Sequence, residues 1–182
     1  MKKLESTLPN MFIVLTLIAL ISAAALGATY GVTEPILAEQ ARQRRIQAVS
    51  EVVPAFDNQP TDEAITPPDN PSVQLFPARR AGEAVGAAVQ ISTGAGYGGT
   101  IELMVGFGSD GTVTGLSVLR HQETPGLGAR ITQEGFRSQF VGQAPADELQ
   151  IDGITAATIS SQAVIAAVER AWQILESTGG IR

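Results

Sequence analysis

The sequence DGITAATISS at residues 152–161 concentrates hydroxyl-bearing and small side chains in one short run. From Ala163 to Leu175, apolar residues recur at helical spacing, and Gly179 and Gly180 follow as a stop signal. The run therefore lies at the N-terminal mouth of a predicted helix. Unpaired backbone N–H groups and the positive end of the helix dipole stabilise a phosphate there without any basic side chain.

Two interpretations of this run stay open on residue types alone. Threonine and serine are ordinary helix N-caps, and alanine is ordinary helix filler, so the run can be purely structural. Alternatively, the small residues Gly153, Ala156 and Ala157 allow a bulky ligand to approach the backbone closely. A threonine hydroxyl is a poor nucleophile without a base beside it, and no such base lies nearby in the sequence.

A second informative stretch, HQETPGLG at residues 121–128, directly follows a predicted strand. Its Pro-Gly pair and its second glycine force turns, so we expect a structured loop at one end of a sheet. His121 is the only histidine of the chain. It has no nucleophile and acid to complete a triad, which disfavours a hydrolase, and with Glu123 alone it is too little for a metal site.

Both stretches resemble signatures of one family. Residues 152–160 are similar to the pattern Asp-x-x-Ser/Thr-Gly-Ala-Thr-x-Ser/Thr, the flavinylation motif of the FMN-binding domain in the G subunit of the Rnf electron-transport complex. Its relative, the C subunit of the sodium-pumping NADH:quinone reductase, shares the motif. In that family a separate flavin transferase joins FMN to the second threonine through a phosphoester bond. The resemblance implies that Thr158 is the acceptor and that Asp152 and Thr155 hold the outer positions.

The chain departs from this motif at one position, where Ala156 replaces the usual glycine. The added methyl group is the smallest possible change. It is unfavourable if the position needs a positive φ, which glycine adopts freely and alanine does not.

The loop at residues 121–128 resembles the second signature of the family nearly letter for letter, and in that family it lies against the flavin. The resemblance implies that Glu123 and Thr124 hydrogen-bond the isoalloxazine or ribityl groups and that Leu127 packs on the ring. Read without the resemblance, the loop is a turn with a hydrogen-bonded histidine.

A glycine-rich stretch, TGAGYGG at residues 93–99, is a weaker signal, because it lacks the Lys-Ser/Thr ending of a P-loop. A Gly-Tyr-Gly-Gly segment recurs in the family, and Tyr97 could stack on a flavin ring or simply pack. The complete set of implied FMN-binding residues is Thr158, Thr155, Ala156, Ala157, Ile159, Ser160, Asp152, His121, Glu123, Thr124, Pro125, Gly126, Leu127, Gly128, Tyr97 and Gly98. No catalytic residue and no metal ligand are implied.

Composition limits the class of protein. The chain has 182 residues, a net charge of −6 and no cysteine. Its length leaves room for one soluble domain of about 150 residues after a hydrophobic N-terminus. The acidic balance gives no indication of a nucleic-acid partner. The absence of cysteine excludes a disulfide framework, Cys-ligated iron–sulfur clusters and a zinc ribbon.

The N-terminal part predicts a membrane anchor. Residues 11–30, MFIVLTLIALISAAALGATY, carry no charge, and a helix of this length spans about 30 Å, the thickness of the hydrocarbon core. A cleaved signal peptide is the competing interpretation, because residues 23–25 offer a cleavage site. The long apolar run favours a retained anchor. Lys2 and Lys3 precede it, which predicts a single-pass protein of the bacterial inner membrane with its soluble domain on the periplasmic side.

The remaining elements follow from local patterns. Residues 33–35 predict the start of a second helix, which Pro54 ends, and the Pro- and Asp-rich residues 54–77 predict a loop-like spacer with at most one short strand. Strands are predicted at 84–92, 100–108 and 112–120, with a hairpin turn at 109–111. A short helix is predicted at 132–141 with Thr132 as its cap, and a last short strand at 150–151.

These elements and the resemblance together predict an α+β protein. A single transmembrane helix is followed by one FMN-binding domain with a small antiparallel sheet flanked by helices. The predicted divisions are residues 1–33 for the cytoplasmic N-terminus and anchor, 34–77 for the juxtamembrane helix and spacer, and 78–182 for the FMN-binding domain.

The resemblance implies a covalently flavinylated electron-relay subunit of an Rnf-type complex, which couples electron transfer between ferredoxin and NAD to Na⁺ or H⁺ transport. The implied partners are the other integral and peripheral subunits, a flavin transferase and the membrane, without nucleic acid. One alternative is the FMN-bearing subunit of the Na⁺-translocating NADH:quinone reductase or of another extracytoplasmic flavin system. Another is a membrane-anchored, non-redox binding or assembly protein whose motif is vestigial. No independent catalytic site is expected.

Overall fold

The computed structural model describes residues 7–179 of the chain. The chain divides into two compact units, Met1–Gln43 and Arg44–Arg182. Lys2 and Lys3, on which the predicted sidedness depends, and the helix stop at Gly180 lie outside the described residues.

The first helix, α1, runs without interruption from Leu8 to Val52. Its apolar part is long and apolar enough to cross a membrane, in agreement with the predicted span, although a signal sequence passes the same test. The predicted start of a second helix at residues 33–35 is wrong, because Pro35 lies inside α1. A proline removes one backbone hydrogen bond from a helix. In the adjacent turn of α1, the Thr33 hydroxyl donates a hydrogen bond to the Thr29 carbonyl at 2.9 Å.

Four antiparallel strands form one sheet in the order β1-β2-β3-β4. Their bounds are Gln74–Arg80 for β1, Glu83–Thr93 for β2, Ile101–Gly108 for β3 and Val113–His121 for β4. The last three match the predicted strands to within one residue at each end, because their alternating and β-branched sequences are local signals.

The one short strand allowed within the spacer at residues 54–77 begins near its end, where β1 starts at Gln74 and continues to Arg80. Leu75 and Phe76 of this strand are buried in the core. Pro77 makes this strand difficult to predict from the sequence, since proline is unfavourable inside a sheet. It is tolerated here because β1 is an edge strand of the sheet.

The predicted hairpin turn at residues 109–111 joins β3 to β4. Gly111 has a φ of 81°, and the carboxylate of Asp110 accepts hydrogen bonds from the backbone N–H of Thr112 at 3.0 Å and from its hydroxyl at 2.8 Å. These bonds favour the ionised carboxylate and lower the pKa of Asp110.

The region predicted as one helix at residues 132–141 is only partly helical. Helix α2, Glu134–Arg137, is a single turn between two 3₁₀ segments, Gly128–Thr132 and Ser138–Phe140. Thr132 ends the first of these and does not cap α2, because the extended residue Gln133 precedes the helix. The last helix, α3, covers Thr158–Ser177.

The sheet packs on both faces. In β2, Val89 and Ile91 belong to the cluster packed with α3, whereas Ala88 belongs to the cluster formed with the end of α1. This division follows from the alternation of side chains along a strand. The antiparallel sheet and the helices packed on it confirm the predicted α+β class.

Two facing glycines allow the end of α1 to approach the sheet closely. Gly106 in β3 pairs with Gly115 in β4, and a Cβ added at either position would collide with the backbone of Val52. The hydroxyl of Thr114 donates to the Val52 carbonyl at 2.5 Å. The contact depends on backbone surface that only glycine exposes.

The topology places two loops at one end of the sheet. Because β2 and β4 both pair antiparallel with β3, the loops that follow them leave the sheet on the same side. These are the glycine-rich loop, residues 94–100, and the signature loop, residues 122–127. The fold thus brings together the two stretches that the sequence analysis related to a cofactor.

Candidate cofactor-binding site

A cavity of about 410 Å³ lies where the glycine-rich loop, the signature loop and the start of α3 meet. It is lined by Tyr97, Thr124, Leu127, Gly128, Ala156, Ala157, Thr158, Ile159 and Ser160. Its volume is in the range typical of small-molecule sites, about 300–1,000 Å³. All of these residues belong to the set that the family resemblance implies, and their role toward FMN stays a prediction.

Helix α3 starts at Thr158, five residues before the apolar periodicity begins, so that the acceptor run enters the helix itself. The N-cap position is Ala157, and no side chain caps this end of the helix. Alanine is a poor N-cap residue. The expectation that a threonine or serine is the N-cap is therefore wrong for this helix.

The first turn of α3 leaves backbone donors available. The first backbone bond into the helix runs from the Ser161 N–H to the Ala157 carbonyl at 3.0 Å. Within residues 7–179, no group accepts a hydrogen bond from the N–H of Thr158, Ile159 or Ser160. Three unpaired donors and the helix dipole suit a phosphate group at this point.

The four hydroxyl groups of the run differ in their hydrogen bonding. The Ser160 hydroxyl donates to Glu123 at 2.7 Å, and the Ser161 hydroxyl donates to the Ala157 carbonyl at 2.9 Å. Thr155 and Thr158 are exposed. Only Thr158 of these two lines the cavity. Thr158 is thus the one exposed hydroxyl-bearing residue of the run that lines the cavity.

Three apolar side chains stand exposed around the cavity. Tyr97 is 72% exposed, Ile159 is 52% exposed and Leu127 is 46% exposed. None of the lining residues is charged. An aromatic ring and two aliphatic side chains beside unpaired N–H groups fit a ligand that combines a flat apolar ring with a phosphate.

Glu123 connects all three segments of the site. Its side chain is 4% exposed, its Oε1 accepts from the Gly98 N–H at 3.2 Å, and its Oε2 accepts from the Ser160 hydroxyl at 2.7 Å. A Cβ added at Gly96 or at Gly128 would collide with this carboxylate. Each carboxylate oxygen of Glu123 thus accepts from a protein donor, and Glu123 is not among the residues that line the cavity. Its expected hydrogen bond to the flavin stays a prediction.

The other implied residues also lie outside the lining. His121 ends β4, and its Nδ1 accepts from the Glu123 N–H at 3.2 Å. Gly98 has no room for a side chain, because a Cβ there would meet the Gln122 carbonyl. Four exposed residues complete this group: Pro125 and Gly126 in the turn of the signature loop, and Asp152 and Thr155 in the acceptor run.

The sequence analysis missed two polar residues beside the acceptor run. The side chains of Gln139 and Gln143 bond the backbone of residues 150–152, where a strand was predicted and none forms. No periodicity or motif marks these glutamines. No group of three potential metal ligands occurs within residues 7–179.

Ala156, the departure from the family motif, has a φ of 65°. This is the left-handed region, which costs a residue with a Cβ about 1–2 kcal/mol. Position 156 therefore needs a positive φ, which is the condition under which the methyl group of alanine is unfavourable there.

We expect Ala156→Gly to raise the free energy of unfolding by up to about 1 kcal/mol, because glycine relieves the strain but gains entropy in the unfolded chain. The substitution is not expected to reduce FMN attachment. Chemical denaturation of the full chain in detergent measures the first effect, and intact mass after exposure to the transferase measures the second. Ala166→Gly, at an exposed position inside α3, should have the opposite sign, about 1 kcal/mol destabilising. Equal signs for the two variants would contradict the assignment of strain to Ala156.

Comparison with known proteins agrees with this geometry. The sequence profile of the FMN-binding domain family matches residues 96–173. The G subunit of the ion-translocating oxidoreductase complex of Methanosarcina acetivorans is 35% identical over 181 residues, which cover 94% of this chain and 96% of that protein. The same subunit of Pseudoalteromonas atlantica is 34% identical over 179 residues, covering 86% of this chain and 83% of that protein.

Among solved structures, NqrC of Shewanella oneidensis superposes with a TM-score of 0.51 at 20% identity, over 61% of this chain and 64% of that chain. This likeness concerns the fold alone. The relatives from Methanosarcina and Pseudoalteromonas are similar over most of their length, and their similarity shows the family. The chain belongs to the family of G subunits of the Rnf-type ion-translocating oxidoreductase complexes and contains the FMN-binding domain of that family.

Proposed function

We propose that this chain is the covalently flavinylated electron-relay subunit of its complex, with FMN joined through a phosphoester bond to Thr158. The observation that carries the proposal is the position of Thr158. Thr158 is exposed, begins α3 at its uncapped N-terminus and lines the cavity, whereas Ser160 and Ser161 use their hydroxyls in protein hydrogen bonds.

A separate transferase carries out the attachment, as in the family that the chain resembles. None of the side chains that line the cavity with Thr158 is a carboxylate or a histidine that would act as its base. In the attachment step the Thr158 oxygen forms the new bond to the flavin phosphorus. The phosphoanhydride bond of an activated flavin nucleotide breaks as this bond forms, a nucleoside monophosphate leaves, and the hydroxyl proton passes to a base of the transferase. The unpaired N–H groups of α3 then hold the phosphate.

FMN supplies one- and two-electron redox chemistry, while the protein supplies position and electrostatics. With FMN bound, the exposed side chains of Tyr97, Leu127 and Ile159 would hold its ring at the cavity. A covalent tether keeps the effective concentration of the flavin at its site high, where a dissociated cofactor would otherwise be lost.

The proposal includes the membrane arrangement and the coupling. α1 is a retained anchor in the bacterial inner membrane, and the FMN-binding domain lies on the extracytoplasmic side, as the positive-inside rule favours. The chain relays electrons within a complex that couples ferredoxin/NAD electron transfer to Na⁺ or H⁺ transport. Its partners are the other subunits and the flavin transferase.

Mass spectrometry of the full chain, produced in cells that make the transferase, tests the proposal. We expect one FMN adduct on the peptide that contains Thr158, and flavin fluorescence that survives denaturing electrophoresis. An unmodified mass on colourless protein from such cells would refute the relay function and favour a membrane-anchored protein without a redox role.

A further inference from the structure

The backbone of residues 150–152 forms hydrogen bonds with two glutamine side chains instead of with a neighbouring strand. Gln143 accepts from the Gln150 N–H at 2.7 Å and donates to the Gln150 carbonyl at 2.9 Å. Gln139 accepts from the Asp152 N–H at 2.8 Å and donates to the Asp152 carbonyl at 3.5 Å. Each side-chain amide satisfies the backbone of one residue as a neighbouring strand would, since it offers one acceptor and one donor.

The two glutamines are attached to the core, whereas the segment that they hold is exposed. Gln143 is tied to the start of β4, because its carbonyl accepts from the Val113 N–H at 2.8 Å. Its Nε2 also donates to the Gln139 carbonyl at 2.8 Å. Gln139 lies in the 3₁₀ segment that carries the fully buried Phe140. Gln150 and Asp152 are both exposed.

The acceptor run is fixed at its other end by α3. The Ser161 hydroxyl accepts from the Ile154 N–H at 2.9 Å, and the Ala157 N–H donates to the Ile154 carbonyl at 2.9 Å. The run between Gln150 and Thr158 is therefore held at both ends by polar contacts, in addition to the packing of Ile151 and Ile154 against the core. Contacts of this kind determine the path of an exposed segment more than its stability.

We propose that Gln139 and Gln143 are positioning residues, whose paired amides hold the run in the shape that presents Thr158 to the cavity. The inference rests on the proposed function, since Thr158 is its acceptor. On this proposal, the amide pair determines where Thr158 lies relative to the cavity and to the rim formed by Tyr97, Leu127 and Ile159.

The test replaces both amides by methionine, which has a similar length and no strong hydrogen-bonding group. We compare the full chain in detergent as Gln139→Met/Gln143→Met, as wild type, and as Gln133→Met. Gln133 is exposed and makes no side-chain hydrogen bond with residues 7–179, so its replacement is a matched control. All measurements are made well below the thermal unfolding midpoint of each variant.

Hydrogen exchange is measured first, on the unmodified chain. We expect the Gln150 and Asp152 amides to exchange about fivefold faster in the double variant, as the loss of one hydrogen bond for each amide implies. Unchanged exchange would overturn the inference, whether or not FMN is ever attached.

Attachment is measured second, with the transferase and a flavin nucleotide. We expect slower FMN attachment in the double variant, and a weaker visible circular dichroism of the attached flavin because the ring is less fixed at the cavity. Wild-type rates and spectra in the double variant would overturn the inference. Absence of flavin from wild-type Thr158 would instead refute the proposed function. If the double variant does not fold, Gln139→Met alone is tested, with faster exchange expected at the Asp152 amide only and the same outcomes required for attachment.

Discussion

Thr158→Ala will abolish covalent FMN attachment and leave the fold unchanged. The substitution removes the hydroxyl of the one exposed threonine of the run that lines the cavity. Alanine is a good helix former at this exposed first position of α3, so we expect no loss of stability. The measurements are flavin fluorescence after denaturing electrophoresis and the intact mass of the full chain from cells that make the transferase.

Thr155→Ala is the matched control, since Thr155 is an equally exposed threonine of the run that does not line the cavity. It should retain the adduct. Thr158→Ser keeps a hydroxyl at the same position and should be modified at least in part. Flavin retained on the Thr158→Ala variant would show that the acceptor lies elsewhere.

Glu123→Ala will lower the free energy of unfolding by about 3 kcal/mol, because two hydrogen bonds to a carboxylate, each worth about 1.5–3 kcal/mol, are lost together. The Gly98 N–H and the Ser160 hydroxyl lose their acceptor, and both Glu123 and Ser160 are buried. For a domain of this size the thermal unfolding midpoint should fall by about 10 °C. Thermal unfolding of the full chain in detergent, followed by circular dichroism, measures the shift.

Glu148→Ala serves as the control for Glu123→Ala, because Glu148 is an exposed glutamate in a loop. Its effect should stay within about 0.5 kcal/mol, as is usual for surface positions. We also expect Glu123→Ala to slow FMN attachment, since Glu123 holds the glycine-rich loop against the start of α3. Equal unfolding midpoints for the two alanine variants would contradict the connecting role of Glu123.

Strand β1 shows where a local reading of the sequence fails. The alternation in β2, β3 and β4 and the Asp-Gly turn between the last two are visible without knowledge of the neighbours. In β1, Pro77 argues against a strand, and only the position of β1 at the edge of the sheet makes the proline acceptable. Pro35 in α1 is the same kind of error, because a single missing backbone bond does not end a long apolar helix.

The candidate site likewise has features that the sequence predicted and features that it did not. The two motifs identified the acceptor run and the signature loop, and nine residues that they and the glycine-rich stretch contain line one cavity. The hydrogen bonds of Glu123 within the protein could not be predicted, because its partners Gly98 and Ser160 lie 25 and 37 residues away in the chain. Nothing in a linear pattern tells a carboxylate that faces a ligand from one that joins three segments of the protein.

The sequence by itself determined the apolar span, three of the four strands, the amphipathic core of α3 and the family. Each of these depends on residues close together in the chain or on a motif of fixed spacing. Only the tertiary structure decided which threonine of the run lines the cavity and that Ala156 has a positive φ. It also decided that the side chains of Gln139 and Gln143 take the place of a neighbouring strand beside residues 150–152. These features arise from hydrogen bonds between segments whose separation and orientation are set by the packing of the whole sheet against α3, and such bonds have no periodic trace in the sequence.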